Sequence, residues 1–193
     1  LSETVLAPWR GPLSRALHLH RSQPHARYFQ LATVTPEGRP ANRTVVFRGF
    51  LESTNQLKII TDLRSAKIAH IKHQPWVEAC WYFSKTREQF RFKGTCSLVG
   101  VDNTNSIITQ TRKKTWQNMS AKARSQFTWP TPGELYAETA PSETLTTSPS
   151  PNFCLLLLNP QEVDYLELKG EPHARWLYYL DDTQTWHISR INP

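Results

Sequence analysis

The chain has 193 residues, 38% of them hydrophobic and 20% charged, which suits one globular domain with a sizeable core. No stretch approaches the roughly 20 apolar residues of a membrane-spanning helix, and no basic-then-apolar leader opens the chain. The net charge of +7 and pI near 9.5 come from basic residues spread along the chain, which argues against a nucleic-acid partner.

The densest basic clusters, Arg112-Lys113-Lys114 and Lys122-Ala123-Arg124, read as solvated helix faces. Cys80, Cys96 and Cys154 are odd in number and form no C-x-x-C. They read as small buried hydrophobes of a reducing, cytoplasmic setting, with neither a disulfide framework nor a zinc site. His18 with His20, and His70 with His73, lack companion ligands at metal spacing, so no metal is expected.

In chain order, Pro12 to His20 carries Leu13, Ala16 and Leu17 at helical spacing and predicts a short helix. Tyr28 to Thr35 and Asn42 to Arg48 are β-rich runs around Pro36-Glu37-Gly38-Arg39-Pro40, which reads as a hairpin. Gln56 to Thr61 predicts a third strand. It runs into a helix from Asp62 to Ile71, with Asp62 or Ser65 as N-cap. Trp76 to Ser84 and Gln89 to Val99 predict a second hairpin, and 103–127 reads as helix. Residues 128–151 are rich in Pro, Ser and Thr and predict a long loop. Four strands follow, at Asn152–Asn159, Glu162–Leu168, Arg175–Leu180 and Thr185–Ile191. The sum is a mainly β, antiparallel barrel with peripheral helices, and the strands flanking the long loop read as parts of one sheet across residues 1–193.

Arg43, Arg48, Ser65, Lys67 and Gln89 stand out as a possible constellation. Ser65 and Lys67 lie at a helix start, where free N–H groups and a positive dipole end suit a phosphate. Arg43 opens a strand whose Val45-Val46-Phe47 could wall an aromatic ring, and it offers a planar fork of donors. The competing reading is a capped helix and a surface strand with solvated charges.

The order of these segments resembles the pyridoxamine 5'-phosphate oxidase family, in its plant and cyanobacterial-type branch. Leu31-Ala32-Thr33-Val34 through Gly38-Arg39-Pro40 looks like the family's opening hairpin. Arg43-Thr44-Val45-Val46-Phe47-Arg48 is similar to its R-x-V-x-x-K/R strand. Thr61 to Lys67 is similar to its T-x-x-x-S-R-K turn, and Glu88 to Gly94 to its R-Q-V-R-x-x-G strand. Arg175 to Tyr179 and Trp186 to Pro193 resemble its C-terminal finish.

The resemblance implies an FMN-binding split β-barrel, a homodimer with FMN at the subunit interface. On it, Arg43, Ser65 and Lys67 would contact the FMN phosphate, with Arg64 as a replacement for the family arginine that is Ala66 here. Thr44, Val45 and Val46 would lie along the ring, Thr61 and Gln89 would hydrogen-bond it, and Arg175 would reach it from the partner. Arg48 and His173 would be the catalytic pair, acting on a small-molecule substrate such as pyridoxamine or pyridoxine 5'-phosphate.

Two departures bear on the substrate: Leu166 stands for a family tryptophan, and Glu171 for an arginine two residues before His173. The implied function is therefore an FMN-dependent oxidoreductase, passing hydride from substrate to flavin N5 with reoxidation by dioxygen. A non-catalytic FMN-binding protein with an altered pocket is the alternative.

Overall fold

The structure, a computed structural model, describes residues 6–138 and 147–193; residues 139–146 of the expected long loop lie outside it. Eight antiparallel strands are β1 (Tyr28–Val34), β2 (Pro40–Val46), β3 (Leu57–Asp62), β4 (Trp76–Phe83), β5 (Glu88–Val99), β6 (Phe153–Glu167), β7 (Ala174–Leu180) and β8 (Trp186–Ile191). Among the described residues the α-helices are α1 (Arg10–Leu19), α2 (Ala66–His73), α3 (Ser106–Gln117) and α4 (Ala121–Ser125).

The strand order is β2-β1-β4-β5-β6-β7-β8, with β3 on the free side of β6. The chain leaving β2 then closes the barrel. Arg48 N–H donates to the carbonyl of Lys58 at 2.9 Å, and Lys58 N–H donates to that of Gly49 at 2.8 Å. The first hairpin pairs Tyr28 with Val46 through Val34 with Pro40 around Gly38, whose φ of 77° needs no Cβ.

Strand β6 differs from expectation. Residues 152–168 do not form two strands; Phe153–Glu167 is one strand with a bulge where the register against β5 shifts between Lys93 and Gly94. Pro160 lacks an N–H and would interrupt a regular ladder, but it is tolerated at a bulge. There it faces Gly94, where any Cβ would come within 2.0 Å of the Asn159 carbonyl oxygen. The bend lets one strand serve two neighbours on the same side. Its residues 153–158 pair with β3, and its residues 162–167 pair with β7.

Period-2 alternation drives the core. In β4 and β5 the inward residues Val77, Ala79, Trp81, Phe83, Phe90 and Phe92 are buried, while their neighbours face outward. Aromatic rings fill the interior, with Phe29–Trp81 centroids 5.1 Å apart and Trp9–Phe92 at 5.3 Å.

The helix expected over 103–127 breaks at Asn118–Ser120 into α3 and α4. Asn105 caps α3, accepting from the N–H groups of Ile107 and Ile108, and Ser120 caps α4. Arg112 corrects the reading of its cluster as a solvated face. It is only 5% exposed, and it donates from Nε and Nη2 to the Phe153 carbonyl at 3.1 and 2.7 Å. It thereby fastens α3 to the start of β6. Lys113 and Lys114 are exposed, as a solvated face requires. The cysteines are free; Cys96 and Cys154 are buried and Cys80 half-buried. Burial pushes the Cys96 thiol up to about 12 and that of Cys154 to about 11, so both stay protonated near neutrality.

Candidate functional site

A cavity of about 390 Å³ opens between the barrel and the α4 region. Strand β2 with its continuation supplies Arg43, Thr44, Val45, Val46 and Arg48, while β3 supplies Ile60, Thr61 and Asp62. Lys67 comes from the first turn of α2, and Met119, Phe127 and Trp129 cover the opposite side.

One end is cationic and rich in hydroxyls. Lys67 Nζ donates to Thr61 Oγ1 at 2.9 Å and to Ser65 Oγ at 3.0 Å. Arg43 donates from Nη1 to the Leu31 carbonyl at 3.0 Å and to Thr33 Oγ1 at 2.7 Å. Burial, and secondly the charge of Arg43, hold the Lys67 ammonium below its usual range; burial does the same to Arg43. Two cations have thus been brought together and partly desolvated, an arrangement that an anion relieves.

Asp62 lines the same cavity, but Arg64 takes up its charge. Arg64 Nε reaches Asp62 Oδ1 at 2.9 Å and Nη2 reaches Oδ2 at 2.7 Å. The remaining arm of Arg64 donates to the Trp129 carbonyl at 2.9 Å, tying the far wall to the near one. Ser65 holds the N-cap position of α2, but its hydroxyl donates back to the Asp62 carbonyl at 2.7 Å and does not cap. Beside this end, the strand through Val45 and Val46 offers an apolar wall. The cavity thus joins a cationic, hydroxyl-lined end to an apolar wall.

Of the residues singled out in the sequence, Arg43, Thr44, Val45, Val46, Arg48, Thr61 and Lys67 line this one cavity, with Ser65 bonded to its rim. Arg64 stands at the edge, committed to Asp62 and Trp129. Gln89, His173 and Arg175 lie elsewhere in the chain. Gln89 is on β5 between Tyr82 and Leu166, with Cys80 Sγ 3.7 Å from its Oε1. Arg175, on β7, is paired with Asp164 at 3.0 and 2.7 Å, and Arg91 bonds the same carboxylate. His173 immediately precedes β7 and is half-buried.

Sequence reasoning missed Met119, Phe127 and Trp129, which come from a segment without a motif. It also missed Thr33 and His70, whose side chains bond one another behind Arg43.

A family profile described as "Pyridoxamine 5'-phosphate oxidase, FMN-binding domain" matches residues 6–100. Pyridoxine/pyridoxamine 5'-phosphate oxidase 2 of Arabidopsis thaliana is 40% identical over 196 residues, covering 98% of this chain and 99% of that one. The chain belongs to the pyridoxamine 5'-phosphate oxidase family. Its cofactor is FMN, as the family's domain description states.

A solved pyridoxamine 5'-phosphate oxidase-related, FMN binding protein of Nostoc punctiforme is 55% identical, with a TM-score of 0.93 over 97% of this chain and 99% of that one. PhzG of Burkholderia lata, 17% identical, shares the fold at a TM-score of 0.78 over 100% of this chain and 97% of that one. The expected FMN-binding split barrel of this oxidase family is therefore the architecture of this chain.

Proposed function

We propose that the chain is an FMN-dependent oxidoreductase, working as a cytoplasmic homodimer on a small amine or alcohol. The observation that carries this reading is the cationic end of the cavity. Arg43 and Lys67 stand with the hydroxyls of Thr61 and Ser65, and the nearby carboxylate of Asp62 is already neutralised by Arg64. That donor set fits a phosphate dianion, and the adjoining Val45–Val46 strand fits a flat ring.

When bound, FMN would supply a hydride acceptor at N5, with dioxygen as the final electron acceptor. Arg43, Ser65 and Lys67 hold the phosphate, and Thr44 to Val46 lie along the ring. Thr61 and Gln89 hydrogen-bond the flavin. Arg48, exposed at the cavity edge, would place a positive charge beside the flavin and favour its reduced, anionic form. His173 guides the substrate or takes a proton, since imidazole changes charge near neutral pH.

Gln89, His173 and Arg175 stand apart from the cavity of their own chain, and this supports a dimer in which each protomer completes the pocket of the other. Arg175 and Arg91 share the carboxylate of Asp164, and Arg91 also lies 3.9 Å from a carboxylate oxygen of Glu78. Free thiols at Cys80, Cys96 and Cys154 support a reducing compartment.

Glu171 bears on the substrate. It is exposed two residues before His173, and a carboxylate facing a substrate phosphate disfavours it. The test is anaerobic mixing of the holoprotein with pyridoxamine 5'-phosphate, pyridoxine 5'-phosphate and unphosphorylated pyridoxamine, following the flavin absorbance. Bleaching by at least one, slowed in H173A without flavin release, is expected. A flavin that none of these, nor a broader set of amines and alcohols, can reduce points to a non-catalytic flavin carrier.

A further inference from the structure

We propose that Thr33 and His70 are positioning residues for FMN, acting through Arg43 to aim its guanidinium at the phosphate; this rests on the reading of Arg43 as a phosphate ligand. Arg43 spends both its protein hydrogen bonds from Nη1, on the Leu31 carbonyl and Thr33 Oγ1. Nε and Nη2 have no protein partner among the described residues, so the fork is anchored at one corner and open along the rest.

That anchor is itself fixed. Thr33 is 2% exposed and His70 9% exposed, and Thr33 Oγ1 lies 2.9 Å from His70 Nδ1. A guanidinium can only donate, so Thr33 Oγ1 accepts from Arg43 and its own proton must go elsewhere. The Ala41 carbonyl is 3.4 Å away, at the limit of a hydrogen bond, whereas His70 Nδ1 is at an ordinary distance. The contacts thus run in one chain, from Arg43 to Thr33 to His70, and Thr33 Oγ1 holds the imidazole by a hydrogen bond whichever of the two donates.

The arrangement links the two cations mechanically. Lys67 and His70 are three residues apart on α2, so one helix presents Lys67 directly and sets Arg43 through Thr33. A buried hydroxyl and a buried imidazole that fill each other's hydrogen-bonding capacity hold one orientation better than a solvated arginine holds its own.

The test compares two ligands differing only in the phosphate. Dissociation constants for FMN and for riboflavin are measured by titrating flavin fluorescence with wild-type protein, T33V, T33S, H70L and R43M. Loss of the anchor should weaken FMN binding about 3–10-fold in T33V and H70L while leaving riboflavin within two-fold, as expected for one lost hydrogen bond. T33S, which keeps the hydroxyl, should restore the wild-type preference. A merely structural role would weaken both ligands together, and that result, or an unchanged preference in T33V and H70L, overturns the proposal. T33V is isosteric and T33S smaller, so a misfolded H70L leaves the question answerable. If R43M keeps the full preference for FMN, the reading of Arg43 falls and the positioning role with it. If only R43M loses the preference, the positioning role alone falls.

Discussion

Lys67 sits with its ammonium between the hydroxyls of Thr61 and Ser65, partly desolvated and near a second cation. Its folded-state affinity for a proton is lowered, by burial first and by Arg43 second, below the ordinary 10.5. The sign follows from linkage: the folded protein disfavours the charged amine, so at neutral pH the full cost is present. Without flavin, stability should rise as pH climbs through the lowered value toward 10.5. K67M removes that cost. Its flavin-free form should melt at or above the wild-type temperature near neutrality and lack the alkaline gain. FMN binding should weaken on the order of 10–100-fold with a charge-assisted hydrogen bond lost. Thermal melts across pH, with flavin titrations, check both. A K67M protein that melts lower and binds FMN normally would make Lys67 structural. At this scale the cations were legible in the sequence because Arg43 and Lys67 fall in spaced motifs. Thr33 and His70 were not, because their importance comes from meeting across 37 positions.

Strand β6 shows what an element can conceal. Pro160 reads as a break between two strands, since it cannot donate to a ladder. The structure keeps one strand by placing the break at a bulge, and the register shift requires Gly94 opposite. No single-strand pattern contains that information, because it depends on a partner about 65 residues away, as the Gly94–Pro160 pairing shows. Gly94→Ala forces a Cβ into the Asn159 backbone, which cannot swing away as a side chain can. Destabilisation on the order of 3 kcal/mol is expected from such overpacking. Chemical denaturation measures it, and a change within about 0.5 kcal/mol, the range of an ordinary surface substitution, would show that the bulge relaxes freely. The hairpins and α2 were legible because their alternation and spacing are local. The break between α3 and α4 and the burial of Arg112 were not, since both answer to packing against Phe153.

At the scale of the molecule, the bend in β6 lets the strand border β3, which carries Thr61, along one half and β7, which carries Arg175, along the other. The two groups of expected site residues therefore sit beside opposite halves of β6, Thr61 opposite Cys154 and both Gln89 and Arg175 opposite Leu166. A single chain holds the cationic end of the cavity together with the strand that walls it, and presents Gln89, His173 and Arg175 elsewhere. The family resemblance implied that Arg175 reaches the flavin from the partner, but the motifs gave no such sign for Gln89 or His173, because separation in space has no signature in spacing. No helix among the described residues is long and apolar enough to cross a membrane.

The central claim is that this chain holds FMN by its phosphate between Arg43 and Lys67. The near-ultraviolet and visible absorbance of the purified protein, followed by acid release and identification of the chromophore, tests it most directly when wild type is set beside the R43M/K67M double variant. The account predicts a yellow wild-type protein that releases FMN at one per chain, and a folded double variant that has lost FMN. A colourless wild-type protein that fails to take up added FMN, or a double variant that retains it fully, would contradict the account.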